Sequence, residues 1–129
     1  MTDKNVVLIV DDDPTTVMLL RHYLEGIGVT TLVATDGPSA LEVIQEHAEQ
    51  LALIFLDIAM PHMSGYQLCK AIRSDFNLAE LPVVAVTARS SPEVSAEAEA
   101  VGINQIIAKP FKPIVIRKAL EEYNLFASQ

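Results

Sequence analysis

The sequence predicts an α/β fold, an open doubly wound sheet of five parallel strands with helices on both faces. Short apolar runs alternate with helix-like stretches five times along the 129 residues. Three of the runs, VVLIV, LALIFL and VVAV, are apolar throughout rather than alternating, as strands buried on both faces read. The stretches between them carry helical spacing, and right-handed crossovers between parallel strands distribute such helices over both faces.

The first run is Val6–Val10. The helix after it places Val17, Leu20 and Leu24 at i, i+3 and i+7, and Asp13 before Pro14 reads as an N-cap followed by proline at N1. Gly26 and Gly28 mark its stop. The second run, Thr31–Ala34, leads to a helix with Ala40, Ile44 and Ala48 at i, i+4 and i+8. The third, Leu51–Leu56, precedes a helix over Tyr66–Arg73 and a polar loop over Ser74–Glu80. After the fourth, Val83–Thr87, residues Ser90–Pro92 open a helix that Gly102 closes. The fifth run is Gln105–Ala108, and Ile116 and Leu120 supply the core side of the last helix. No repeat, low-complexity stretch or linker interrupts residues 1–129, so one domain is expected.

Half of the chain is hydrophobic and only 5% aromatic, so Val, Ile, Leu and Ala must fill the core. The net charge is −8, and no Lys or Arg occurs between His22 and Cys69. That surface is unsuited to nucleic acid, whose phosphates require clustered cations. Cys69 is the single cysteine, which excludes a disulfide framework and fits a reducing compartment. No apolar run reaches membrane-spanning length and MTDKNVV lacks a signal-peptide layout, so a soluble cytoplasmic protein without membrane insertion is expected.

In doubly wound sheets the active groups lie at the carboxyl ends of the strands. Here those positions hold Asp11 and Asp12, Asp57, Thr87 and Lys109. Three carboxylates in one place repel unless a cation joins them, and oxygen-only ligands favour a hard divalent ion such as Mg2+. Asp57 has no helix of its own to cap, and a carboxylate is a competent nucleophile toward phosphorus. Lys109 would supply a compensating cation and Thr87 a hydroxyl donor. Taken singly, each has a plain reading: a solvated acidic loop, a surface lysine, a β-branched strand end. Asp13 is assigned to capping.

The segments VLIVDDDP, LDIAMPHMSG, VVAVTA and the final KP, in this order and spacing, resemble the signatures of response-regulator receiver domains over essentially the whole chain. The resemblance implies the flavodoxin-like strand order 2-1-3-4-5. It implies that Asp57 accepts a phosphoryl group from the phosphohistidine of a sensor histidine kinase or histidine phosphotransfer protein. It makes Asp12, Asp57 and the backbone carbonyl of Ala59 ligands of Mg2+, with Asp11 acting through water. Lys109 would pair with the phosphate, Thr87 would turn toward it, and Lys109–Pro110 would be a cis peptide. Met60, Pro61 and Gly65 would shape the loop after the acceptor. Such a chain is not a classical enzyme. It promotes its own phosphorylation and slow dephosphorylation and signals to a downstream protein target, as a monomer or weak dimer. No output domain lies within these residues, so the stand-alone type is expected.

One position departs from that family. Ile106 stands where the family usually has Tyr or Phe three residues before the lysine. Ile114 and Val115 occupy the first turn of the last helix, where the family commonly has charge; with Ile106 they would form an exposed apolar interface patch, unless Ile114 or Val115 is simply buried. His62 reads as a loop residue, His22 and His47 as surface positions, Cys69 as a small buried or half-buried residue, and Glu93, Glu97 and Glu99 as a solvated face. Two other functions compete. Asp11, Asp13 and Thr15 fit the D-x-D-x-T of haloacid-dehalogenase-like phosphatases, but no acidic motif follows Lys109. A phosphate-independent interaction module would keep the fold without needing the acids, threonine and lysine. A flavin binder of this fold would need a Gly- or Ser/Thr-rich loop after Val10, which is missing.

Overall fold

A computed structural model describes residues 5–125. Its strands are β1 (Val6–Val10), β2 (Thr30–Ala34), β3 (Leu51–Leu56), β4 (Val83–Thr87) and β5 (Gln105–Ala108). Its helices are α1 (Pro14–Gly26), α2 (Gly37–His47), α3 (Gly65–Ser74), α4 (Pro92–Val101) and α5 (Pro113–Glu122). The strands form one parallel sheet in the order β2-β1-β3-β4-β5, as the resemblance implied. The second strand begins one residue earlier than the hydrophobic run, and α3 extends one residue at each end beyond the helical pattern.

The uniformly apolar runs are the central strands: every residue of β3 and β4 is buried. Their alternate side chains feed two cores. One lies under α2, α3 and α4, with Leu8, Ile54, Leu68 and Ile72 among its members. The other lies under α1 and α5, with Phe55, Leu24, Ile116 and Leu120. Edge strand β2 is half-exposed and β5 ends exposed at Ala108, which is why their runs are shorter or more polar.

Helix starts follow local chemistry. Asp13, Asp36, Ser64 and Ser91 each accept a backbone N–H of the first turn, and proline stands in the first turn of α1, α2 and α4. Ser64 and Gln67 complete a reciprocal capping box on α3. Gly102 ends α4 with φ 95°, a left-handed conformation that glycine takes without steric penalty. Among the described residues no helix is long and apolar enough to cross a membrane.

Candidate functional site

The sheet's hydrogen bonding runs one residue past the strands and fixes the rim. Asp11 N–H donates to Ala34 O at 3.1 Å, Asp57 N–H to Val10 O at 2.9 Å, and Lys109 N–H to Thr87 O at 2.8 Å. Asp11, Asp57, Thr87 and Lys109 are therefore held by the same ladder that orders the core. Gly65 closes the other side. Its N–H donates to Ile58 O at 2.7 Å, and a Cβ there would stand 2.5 Å from the carbonyl oxygen of Asp57. Only glycine lets α3 begin this close to the acceptor strand.

Carboxylate oxygens of Asp11, Asp12 and Asp57 come within 4.8 Å of one another. Asp11 and Asp57 are buried and Asp12 is exposed, so the cluster opens to solvent on the Asp12 side. Lys109 Nζ lies 3.0 Å from Asp11 and 3.4 Å from Asp57. Burial, and secondarily the charge of Asp11, push the Asp57 carboxyl above its ordinary pKa, although Lys109 and the Ala59 N–H oppose this. Burial also works against the Lys109 charge. Its hydrogen bond to Asp11 and the charges of Asp57 and Asp11 outweigh that and hold its pKa above the ordinary value. One cation facing three carboxylates leaves the site short of positive charge, and an all-oxygen donor set is what a hard divalent ion selects.

Thr87 is buried at the end of β4, and its Oγ1 accepts the N–H of Arg89 at 3.2 Å. Lys109–Pro110 is a cis peptide bond. Ala59 is exposed beside the acceptor, and its N–H faces Asp57 Oδ1 at 3.4 Å. Met60 and Met63 pack partly onto the α2–α4 core, while Pro61 is exposed and His62 takes φ 72° in the same loop. Asp13 caps α1 through Thr15 N–H and the Thr16 hydroxyl, which hold its pKa down, the Thr16 bond most.

Of the three residues expected to form an apolar patch, one is exposed and two are half-buried. Ile114 is 51% exposed, but Ile106 is half-buried against the α2–α4 core and Val115 against the α1–α5 core. A groove of about 420 Å³ runs from Asp11 and Asp12 along α1 past Pro14, Val17 and Met18. Sequence reasoning also missed the close Lys109–Asp11 pair. The signal was present, since Asp11 ends the strand adjoining β3, but a sequence does not say which of two acids a lysine reaches. Cys69 is fully buried, and its Sγ–H donates to Val101 O at 3.4 Å.

A fold of this order with acids, a hydroxyl and a lysine on one rim defines a class of phosphoryl-switch domain. Residues 7–121 match the family model described as response regulator receiver domain, and the chain belongs to that family. It is 35% identical over 117 residues to the chemotaxis protein CheY of Pseudomonas aeruginosa, covering 90% of this chain and 93% of that one. It is 33% identical to the heme response regulator HssR of Staphylococcus saprophyticus, covering 92% of this chain but 52% of that longer protein. Among solved structures, chemotaxis protein CheY4 of Vibrio cholerae superposes with a TM-score of 0.86 at 31% identity, covering 95% of this chain and 99% of that one.

Proposed function

We propose that this chain is a phosphoacceptor switch whose acceptor is Asp57. The observation that carries the reading is the rim geometry: three carboxylates within 4.8 Å with Lys109 Nζ reaching two of them. The Asp57 carboxylate would attack the phosphorus of a phosphohistidine on a sensor histidine kinase or histidine phosphotransfer protein. The P–N bond would break, and its electron pair would leave on the imidazole nitrogen, which takes up a proton. Lys109 would follow the charge onto the phosphoryl oxygens, and Thr87 would donate its hydroxyl to one of them.

The donor set fits Mg2+, held by Asp12, Asp57 and the Ala59 carbonyl with Asp11 through water. When bound, the ion would neutralise charge on the carboxylates and the incoming phosphoryl group. Output would pass to a downstream protein through a phosphorylation-dependent contact. In this reading the chain works in the cytoplasm as a receiver domain, as a monomer or weak dimer.

Incubation with Mg2+ and a small phosphodonor, followed by intact mass, tests the reading. One added phosphoryl group is expected, absent in Asp57→Asn. Unchanged labelling in that variant would remove Asp57 from the role. No labelling of the wild type would favour the phosphate-independent module.

A further inference from the structure

Helix α4 is held very differently at its two ends. Arg73, on α3, spreads its guanidinium over four neutral acceptors. Nη1 donates to Leu78 O and Leu81 O, both at 2.6 Å, and Nη2 donates to Gly102 O at 2.6 Å and Asn104 Oδ1 at 2.9 Å. The same Asn104 Oδ1 accepts Val83 N–H at 2.8 Å, and Asn104 N–H donates to Val83 O at 2.8 Å. One side chain thus ties α3, the loop before β4 and the turn after α4 to the start of β4. Its planar fork suits several carbonyls at once in a way a lysine ammonium does not. The guanidinium also packs directly on backbone: a Cβ at Gly102 would stand 2.9 Å from Arg73 Nε. Cys69 adds its bond to Val101 O at this end.

The opposite end has little to hold it. Ala98 is the only fully buried residue of α4. Its first turn keeps one cap, Ser91 Oγ accepting Val94 N–H at 3.2 Å, and the half-buried Val94. Ala88, Arg89 and Ser90, which join it to Thr87, are all exposed. A helix pinned at one end and lightly seated at the other responds to force at the free end by swinging about the pinned one.

We propose that Arg73 is a latch fixing the C-terminal end of α4, so that α4 moves as a lever about Gly102 with its Pro92 end free. The latch stands on the free protein alone. What drives the lever rests on the phosphoacceptor reading, since Thr87 lies at the head of the loop into α4.

Amide hydrogen exchange on the full chain tests both parts, with and without Mg2+ and beryllofluoride. In the free protein, Arg73→Met should speed exchange at Gly102, Ile103 and Asn104 by at least about tenfold, because several charge-assisted bonds are lost there. Amides of Val94 and Ser95 should change by less than about twofold, since local openings at the two ends are separate. Unchanged rates at 102–104 overturn the latch. If Arg73→Met melts below the assay temperature, Asn104→Ala removes one acceptor and the side-chain tie to Val83 N–H and should speed the same amides. No acceleration there overturns the latch equally. With beryllofluoride, changes between β4 and β5 in the wild type should be confined to residues 87–95, and in the Arg73 variant they should spread to 101–104. Equal changes at both ends in the wild type overturn the lever. No response anywhere removes the phosphoacceptor reading and the lever's trigger, while the free-protein comparison still decides the latch.

Discussion

Replacing the proposed nucleophile should make the free protein more stable. Asp57 is 8% exposed, and its oxygens share a 4.8 Å cluster with Asp11 and Asp12. Lys109 lies 3.4 Å away but sits closer, at 3.0 Å, to Asp11. At an effective dielectric of about 20, a charge pair at the cluster's outer separation is worth about 3.5 kcal/mol and the Lys109 pair about 5 kcal/mol. Asp57→Asn gives up the attraction to Lys109, while its amide oxygen can still accept the Ala59 N–H. It removes the repulsion from Asp11, a partly screened repulsion from exposed Asp12, and the desolvation of a buried charge. The balance favours the variant by on the order of 1–2 kcal/mol, or about 3–8 °C in Tm for a domain of this size. The sign with pH follows from the raised pKa of Asp57, set first by burial and then by Asp11. A carboxyl whose folded pKa exceeds its unfolded one contributes stability while protonated, below about 3.9, and loses it as pH rises through the folded value. The variant's advantage should therefore be full at neutral pH and fade as pH falls toward about 4. Thermal melts of both proteins across that range, without divalent ions, provide the assay. A lower Tm for Asp57→Asn at neutral pH, or an advantage that persists unchanged in acid, would show that repulsion and burial do not outweigh the Lys109 pair.

Mg2+ should raise the wild-type Tm by mass action, as any ligand of the folded state does, and Asp12→Ala should lose that rise while keeping the fold. Identical Mg2+ titrations in the two proteins would show that Asp12 is not a ligand. Gly65→Ala should cost on the order of 1–3 kcal/mol by denaturant titration, because the added methyl meets backbone rather than a flexible side chain. It should also slow labelling by the small phosphodonor, since relief requires the Asp57 carbonyl to shift. Full stability with normal labelling would mean that α3 can retreat freely. With beryllofluoride bound, Thr87 and Ala88 should shift while Ile106 keeps one rotamer. A large inward rotation of Ile106 in paired crystal structures, or no movement at Thr87, would overturn this.

The sheet was legible because its central strands are apolar on both faces and cannot be placed anywhere but inside. The rim was legible for a related reason: a charge ending a fully buried run must surface at the strand's carboxyl edge. Helix starts were legible where a cap and a proline coincide, at Asp13–Pro14 and near Ser91–Pro92. What stayed hidden depends on relations across the fold. The half-burial of Ile106 and Val115, each against a different core, stayed hidden because the sequence does not say which core a side chain joins. Arg73 was visible only as the last residue of the helix expected over Tyr66–Arg73, since its four acceptors come from segments up to 31 residues away.

Whether an isoleucine at position 106 silences the readout turns on what moving Thr87 costs. Its hydroxyl oxygen now accepts one N–H, from Arg89, at 3.2 Å. Arg89 is exposed, so water replaces that acceptor readily and the loss is on the order of 1 kcal/mol or less. A hydroxyl bond to a charged phosphoryl oxygen is worth about 1.5–3 kcal/mol. The surplus, up to about 2 kcal/mol, corresponds to a shift of about thirtyfold in the balance between two loop conformations. No step in this requires residue 106 to turn. An aromatic side chain would add a second differential contact by filling space behind the threonine. Ile106 is already committed to the α2–α4 core and, being β-branched, has a stiff χ1. The loop of Ala88, Arg89 and Ser90 is therefore the part of the rim free to respond, and it leads into the first turn of α4.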